Sequence, residues 1–300
     1  MSTLEVSRDI EKPIKKQVTR NKKRLALQVL IFVLFAILSV IILIPFYILV
    51  ISSFKPGNDL IRYGINLKLE FDKMSLDNFI FLFTGQHQYF TWFFNSLFLT
   101  AVSVIITLFV CAAVGYGFSM YDFKFKTFLF ICVLFVMMVP FEILMVPMYS
   151  QIIDMGLIDT YAGVVLPGIT SASTIFFFRQ YLMGIPRDLI NAGRIDGASE
   201  YGIFFKIILP VMKPAFAAMA ILNTMGAWNN LLWPLLVLKT DTKFTLPIGL
   251  NTLLTPYGNN YDLLIVGSFF SVIPVLIIFL CFKDYRTQLF SFIKNYYKII

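Results

Sequence analysis

The sequence predicts an all-α, polytopic membrane protein with six transmembrane helices and both termini in the cytosol. Three observations carry this. First, 58% of the 300 residues are hydrophobic and only 14% are charged, whereas soluble domains carry roughly 45–50% apolar and about 25% charged residues. Second, the apolar residues gather into six runs, each near the ~20 residues needed to cross ~30 Å of hydrocarbon. Third, Lys and Arg cluster at the ends of these runs and form no basic domain of their own. The net charge of +8 therefore reads as an orientation signal, not as a nucleic-acid surface. Phe alone contributes 33 residues, more than a soluble core needs.

The elements follow in order. Residues 1–24 form a basic N-tail with Arg8, Lys12, Lys15, Lys16, Arg20, Lys22, Lys23 and Arg24. Orientation explains this charge, and it also suits a surface of anionic membrane lipid. The six-span domain covers 25–282. Its first span, Leu25 to Ile51, carries no charge. It is too long for the ~7–15-residue core of a cleavable signal peptide. The other spans are Phe90–Phe118, Thr127–Tyr149, Tyr161–Met183, Ala215–Leu238 and Asp262–Phe282. Residues 283–300 form a C-tail.

Counting Lys and Arg orients the chain. The N-tail holds eight, the 119–126 loop two, Arg179 with the 184–214 loop five, and the C-tail four. Against them stand four in 52–89, none in 150–160 and two in 239–261. The positive-inside rule assigns the first set to the cytosol and loops 52–89, 150–160 and 239–261 to the outside. Pro45, Pro140, Pro147, Pro234 and Pro274 lie in or near spans and predict bends, since neighbouring helices can satisfy the freed carbonyls.

The 184–214 loop is unlike a plain connector. It mixes apolar and polar residues at helical spacing and is broken twice. Pro186 precedes a short helix that Asp188 caps. Asp196 and Gly197 then turn the chain, because glycine tolerates positive φ. A second helix, Ala198 to Ile208, carries Tyr201, Phe204, Phe205 and Ile208 at i, i+3, i+4 and i+7. Leu209 and Pro210 end it. Two short helices with apolar faces outside the membrane ask for a protein partner.

The residues Asn191, Ala192 and Gly193, then Gly197, Ile207, Leu209 and Pro210, hold the spacing of a known motif. They resemble the EAA loop of ATP-binding-cassette importer permeases. Phe178 to Gln180, Ile185, Pro186 and Arg194 to Ser199 are similar to the sugar-importer branch, which includes the second maltose permease subunit. So are Trp228 to Leu235, Met145 to Tyr149 and Gly156 to Thr160. The resemblance covers about Phe46 to Phe282. Two positions depart from it. Asn191 stands where the family has a glutamate thought to brace the loop, and Gly193 stands for the second alanine. The C-tail lacks the usual glycine-rich ending.

The resemblance implies a type I importer permease of the bacterial cytoplasmic membrane. It implies a second permease subunit, two ATPase subunits docked on the loops, and an extracytoplasmic solute-binding protein touching loop 239–261. ATP and magnesium would sit on the ATPases; this chain would bind no cofactor and catalyse nothing. The expected docking residues are Asn191, Ala192, Gly193, Asp196, Gly197, Ala198, Tyr201, Phe204, Phe205, Ile207, Leu209 and Pro210, with Phe204 filling the partner's pocket. In the fifth span, Trp228, Asn229, Asn230 and Trp233 offer indoles and amides, which suit sugars by stacking and hydrogen bonding. They are expected to line the substrate path or gate. Glu142, the carboxylate within a span, is a further candidate. An oligosaccharide is the expected substrate, with a monosaccharide, glycerol phosphate or sugar acid left open.

Other readings fare worse. Ala113 to Gly117 resembles a potassium-filter fragment, but a filter needs a re-entrant loop, so close helix packing is expected instead. Cys111, Cys132 and Cys281 read as small buried hydrophobes. A stand-alone secondary transporter needs intramembrane charge for ion coupling, and a membrane enzyme needs a nucleophile–base or metal set. One histidine, His87, supplies neither.

Overall fold

The computed structural model describes the backbone of residues 3–57, 69–85, 87–255 and 258–299, and the side chains of 24–25, 27–57, 69–85, 87–254 and 260–281. The basic side chains of the N-tail before Arg24 and those of the C-tail lie outside these residues. The chain divides into two compact units, Met1–Asn78 and Phe79–Ile300.

The first unit holds α1, Thr3–Ser53, whose segment Leu27–Ser53 is long and apolar enough to cross a membrane. Its side chains stand exposed from Leu27 to Phe46, as a lipid-facing surface does. Beyond it, the Asn78 amide donates to the carbonyls of Ser53 (3.1 Å) and Lys55 (2.8 Å). Lys55 pairs with Glu70 at 3.4 Å and holds that carboxyl below its usual range.

The second unit is helical. After α2 (Asp77–Thr84), α3 runs unbroken from Tyr89 to Met120. The third expected span, Thr127–Tyr149, is not one helix. It is α4 (Lys126–Met138) and α5 (Phe141–Asp154), bent by 103°. Val139 before Pro140 is extended, the conformation that a following proline imposes. The fourth span is α6 (Tyr161–Val165), continued by a 3-10 turn Leu166–Gly168, then α7 (Ala172–Met183) at 43°. Next come α8 (Asp188–Ile195) and α9 (Glu200–Val211), the latter meeting α10 (Lys213–Trp228) at 76°. The fifth span, expected as Ala215–Leu238, stops at Trp228 and resumes after residues 229–231 as α11 (Leu232–Val237). Then follow α12 (Leu246–Thr252), a ribbon of β1 (Leu254–Thr255) and β2 (Gly258–Asn259), and α13 (Tyr261–Ile299). Among the described residues, three helices are long and apolar enough to cross a membrane, and the spans number up to six if each bent pair is one span.

Packing explains the sequence pattern. A Cβ on Gly115 would stand 3.0 Å from the Phe178 Cβ and 3.1 Å from the Arg179 nitrogen. The Ala113–Gly117 fragment is thus the point where α3 closes on α7. One apolar cluster joins Cys111, Ala112 and Tyr116 of α3 to Phe178 and Leu182 of α7 and to Met219 of α10. A second joins Tyr89, Trp92, Trp228, Leu246 and Leu263. Of the cysteines only Cys111 is buried; Cys132 is half-buried and Cys281 exposed, because the latter two occupy outward faces. His87 contacts the Phe81 carbonyl through Nε2 at 3.0 Å.

Candidate functional site

The 184–214 loop is built as two helices around a glycine turn. Arg187 holds the N-cap position of α8 without a side-chain bond, so Asp188 is not the cap but the first helical residue. There its carboxylate meets the positive end of the helix dipole. At the other end Gly197 has φ +76°. Its N–H donates to the Arg194 carbonyl (3.0 Å), and the Ala198 N–H donates to Gly193 (2.9 Å). This pair of bonds is a Schellman stop, which needs a left-handed residue where Gly197 stands. The Ser199 hydroxyl accepts from the Gly202 N–H at 3.1 Å and starts α9.

Helix α9 corrects two expectations. Leu209 and Pro210 do not end it; it continues to Val211. Residues Phe204–Ile208 form a π turn, with the Leu209 N–H reaching the Phe204 carbonyl. The wider turn accommodates Pro210, which would otherwise press on the carbonyl four residues back. The apolar stripe also splits. Tyr201 is 80% exposed and Phe205 53%, but Phe204 and Ile208 are buried. The Phe204 ring lies 5.2 Å from that of Tyr116, so it packs on α3.

The loop's inner face belongs to the core of the spans. Ile190, Ile203, Phe204 and Ile208 share one cluster with α3 and α7. Gly193 is buried against Ile207, whose Cδ1 would lie 2.7 Å from an added Cβ. Outward stand Asn191, Ala192, Ile195, Asp196, Gly197, Ala198, Tyr201, Phe205 and Pro210, while Leu209 is half-buried.

Polar ties fix the turn. Arg194 Nε donates to Glu200 at 2.7 Å, and the Tyr121 hydroxyl donates to the other carboxylate oxygen. Arg194 and then Tyr121 hold the Glu200 carboxyl below its usual range. Asp122 joins Arg187 (3.1 Å) to Lys126 (3.2 Å), which lower its pKa in that order. Asn191, among the described residues, makes no side-chain bond. The bracing that the Asn191 substitution put in question is carried by the ties of Glu200 and Asp122.

A second feature lies within the spans. A cavity of about 250 Å³ opens beside α3, the Gly168 turn, the α10–α11 break and Thr245. Ser96, Thr100, Ser103 and Thr107 of α3 line it at i, i+4, i+7 and i+11, one helical face. The Ser96 hydroxyl accepts from the Leu246 N–H (2.7 Å), and Thr107 donates to the Gly168 carbonyl (2.9 Å). Asn230 lines this cavity; the other expected path residues do not. Asn229 is exposed and donates back to the Met225 carbonyl at 2.9 Å. The Trp228 indole donates to Ser271 (3.1 Å) and the Trp233 indole to Gly163 (3.2 Å), both from buried positions. Their rings pack within apolar clusters. Glu142 is exposed in the first turn of α5, away from the cavity.

The 150–160 and 239–261 loops are tied to each other. Asp159, at φ +56°, accepts from Lys243 (2.8 Å), the Thr240 hydroxyl (2.6 Å) and the N–H groups of Lys239 and Thr240. Lys243 and then Thr240 hold its carboxyl well below the usual range. Asn95 bonds the Thr242 and Phe244 carbonyls, both at 2.9 Å.

Residues 109–285 match the family described as binding-protein-dependent transport system inner membrane component. The chain belongs to this family. The permease is 51% identical over 251 residues to the arabinooligosaccharides transport system permease protein AraQ of Bacillus subtilis (strain 168), covering 84% of this chain and 89% of the relative. It is 33% identical to the lactose transport system permease protein LacG of Rhizobium radiobacter over 244 residues, 81% of this chain and 88% of that one. A crystal structure of a bacterial ABC transporter involved in the import of the acidic polysaccharide alginate shares the fold. Its TM-score is 0.73 at 22% identity, over 85% of this chain and 94% of that one. The permease is therefore a multi-pass inner-membrane protein, and its family is one of transport components, not enzymes.

Several residues of the permease escaped sequence reasoning. The hydroxyl face of α3 had a signal, four Ser or Thr residues at helical spacing. Ser199 had one too, as a capping residue ahead of an apolar run. The role of Glu200 had none, since its partners Arg194 and Tyr121 meet it only in the fold.

Proposed function

We propose that this chain is one of two permease subunits of an ATP-driven importer that moves an oligosaccharide by alternating access. The observation that carries the reading is the 184–214 loop. Its inner face is fused to the spans, and its outer face presents Ile195, Tyr201 and Phe205 around the Gly197 turn. Exposed large apolar side chains on a braced turn suit a cleft in an ATPase partner. Closure of the two ATPases would push this loop and, through the shared cluster, α3 and α7. The tails and the loop face the cytosol in this reading. The 239–261 loop faces outward and meets the solute-binding protein.

The names of the arabinooligosaccharide and lactose relatives support a neutral sugar. The test is Gly197→Asp in the assembled importer. A side chain at φ +76° is strained and sits where the partner must approach. We expect ATPase co-purification and sugar uptake to be lost together. Normal ATP-coupled uptake by this variant sinks the reading.

A further inference from the structure

We infer that the cavity beside α3 is a contact site for a neutral, polyhydroxylated solute, held by this subunit itself. The inference rests on the importer reading above and gives it a location and a substrate chemistry.

Two backbone breaks meet at the cavity. Gly168 precedes the bend into α7, and Asn230 lies in the gap between α10 and α11. Interrupted helices expose N–H and C=O groups, which hydrocarbon does not tolerate. Such breaks persist where they line a polar cavity, and transporters place substrates there.

The wall also holds polar groups with no protein partner. The Thr245 hydroxyl is buried and unbonded, and Thr245 is 6% exposed. Among the described residues, the hydroxyls of Thr100 and Ser103 and the amide of Asn230 make no side-chain hydrogen bond either. Of these groups only the Thr245 oxygen is shielded from water; those of Thr100, Ser103 and Asn230 remain open to the cavity and have donors and acceptors to offer a solute. Ser96 and Thr107 differ: their hydroxyls are spent on Leu246 and Gly168. They fix the frame, and the unbonded groups of Thr100, Ser103 and Asn230 line the cavity.

Charge decides the solute's class. No lining side chain is charged. A phosphate or carboxylate taken out of water needs a cation to pair with, and no cationic side chain lines this wall. Hydroxyls pair readily with Ser, Thr and Asn, each able to donate and accept. The volume corresponds to about eight waters, room for one sugar ring at a time.

Protection chemistry tests this without the ATPase. Cys111, Cys132 and Cys281 are replaced by alanine and Ser103→Cys is introduced, in membranes bearing the permease. A small water-borne thiosulfonate should modify the new thiol. Arabinotriose should slow that reaction, and sn-glycerol 3-phosphate at equal concentration should not. An unreactive thiol, or a thiol that neither solute or both solutes protect, overturns the inference. In the assembled importer, the near-isosteric Thr100→Val and Asn230→Leu should each raise the KM for arabinotriose about fivefold, the change for one hydrogen bond between neutral groups. Membrane level and ATPase co-purification should hold. Unchanged KM in both variants also overturns it. Protection without ATPase association would remove the importer reading and keep the site; association and uptake without protection would do the reverse.

Discussion

Single glycines show how closely this chain is packed. A Cβ on Gly249 would overlap the Trp92 ring. Trp92 donates its indole N–H to the carbonyl of Asp241 at 3.0 Å, so the substitution disturbs two elements at once. We expect Gly249→Ala to destabilise the purified permease by about 1–3 kcal/mol, the range of core overpacking, read as a lower melting midpoint. Gly117→Ala meets nothing within 4 Å and should hold or raise the midpoint, since alanine favours a helix. The two glycines look alike in sequence. Gly115 was legible as a packing residue because small residues surrounded it, but Gly249 was not, since its neighbour Trp92 lies far away in the chain. Trp228 and Trp233 misled for the same reason. An indole beside two amides reads as a sugar platform, and only packing reveals that both rings are enclosed.

The elements were more legible than their joints. Both ends of α3 and the C-terminal end of α7 fall close to the expected span limits, because apolar runs and caps are local signals. The bends at Pro140 and Met212 are tertiary outcomes, and the sequence announced them only as prolines. The Asp159 clasp is such a joint. The folded-state pKa of this carboxyl is lowered, so its contribution to stability is present above the unfolded value of about 3.9 and lost as pH falls through the folded value. We expect hydrogen-exchange protection of residues 239–246 to be level from neutral pH down to about pH 5 and to weaken in stronger acid. Asp159→Asn should show the weakened protection already at neutral pH. Equal protection in both proteins at neutral pH would show the clasp to be idle.

At the scale of the whole molecule, the 184–214 loop has two faces, one buried and one exposed. Ile208 is fully buried in the cluster shared with α3 and α7. We expect Ile208→Ala to cost about 2–5 kcal/mol of stability, as buried truncations do. Tyr201 is exposed, so Tyr201→Ala should change stability by no more than about 0.5 kcal/mol, yet reduce ATPase co-purification. If Tyr201→Ala leaves that association intact, the outer face is not the docking face. Charge counting and motif spacing made the loop legible from sequence, including its turn at Gly197. The division of its aromatic residues was hidden, because periodicity gives the stripe but not which flank its own spans will claim. The elbow between α9 and α10 adds a mechanical consequence. Its vertex, Met212, is fully enclosed, so it behaves as a bearing and not as a loose hinge. Twelve residues of α9 make an arm of about 18 Å, and a tilt of about 10° on that arm carries its tip about 3 Å. In the proposed importer, a modest squeeze at Ser199 would thereby be geared into torque on α10, the helix whose far end stops at Trp228, two residues short of Asn230.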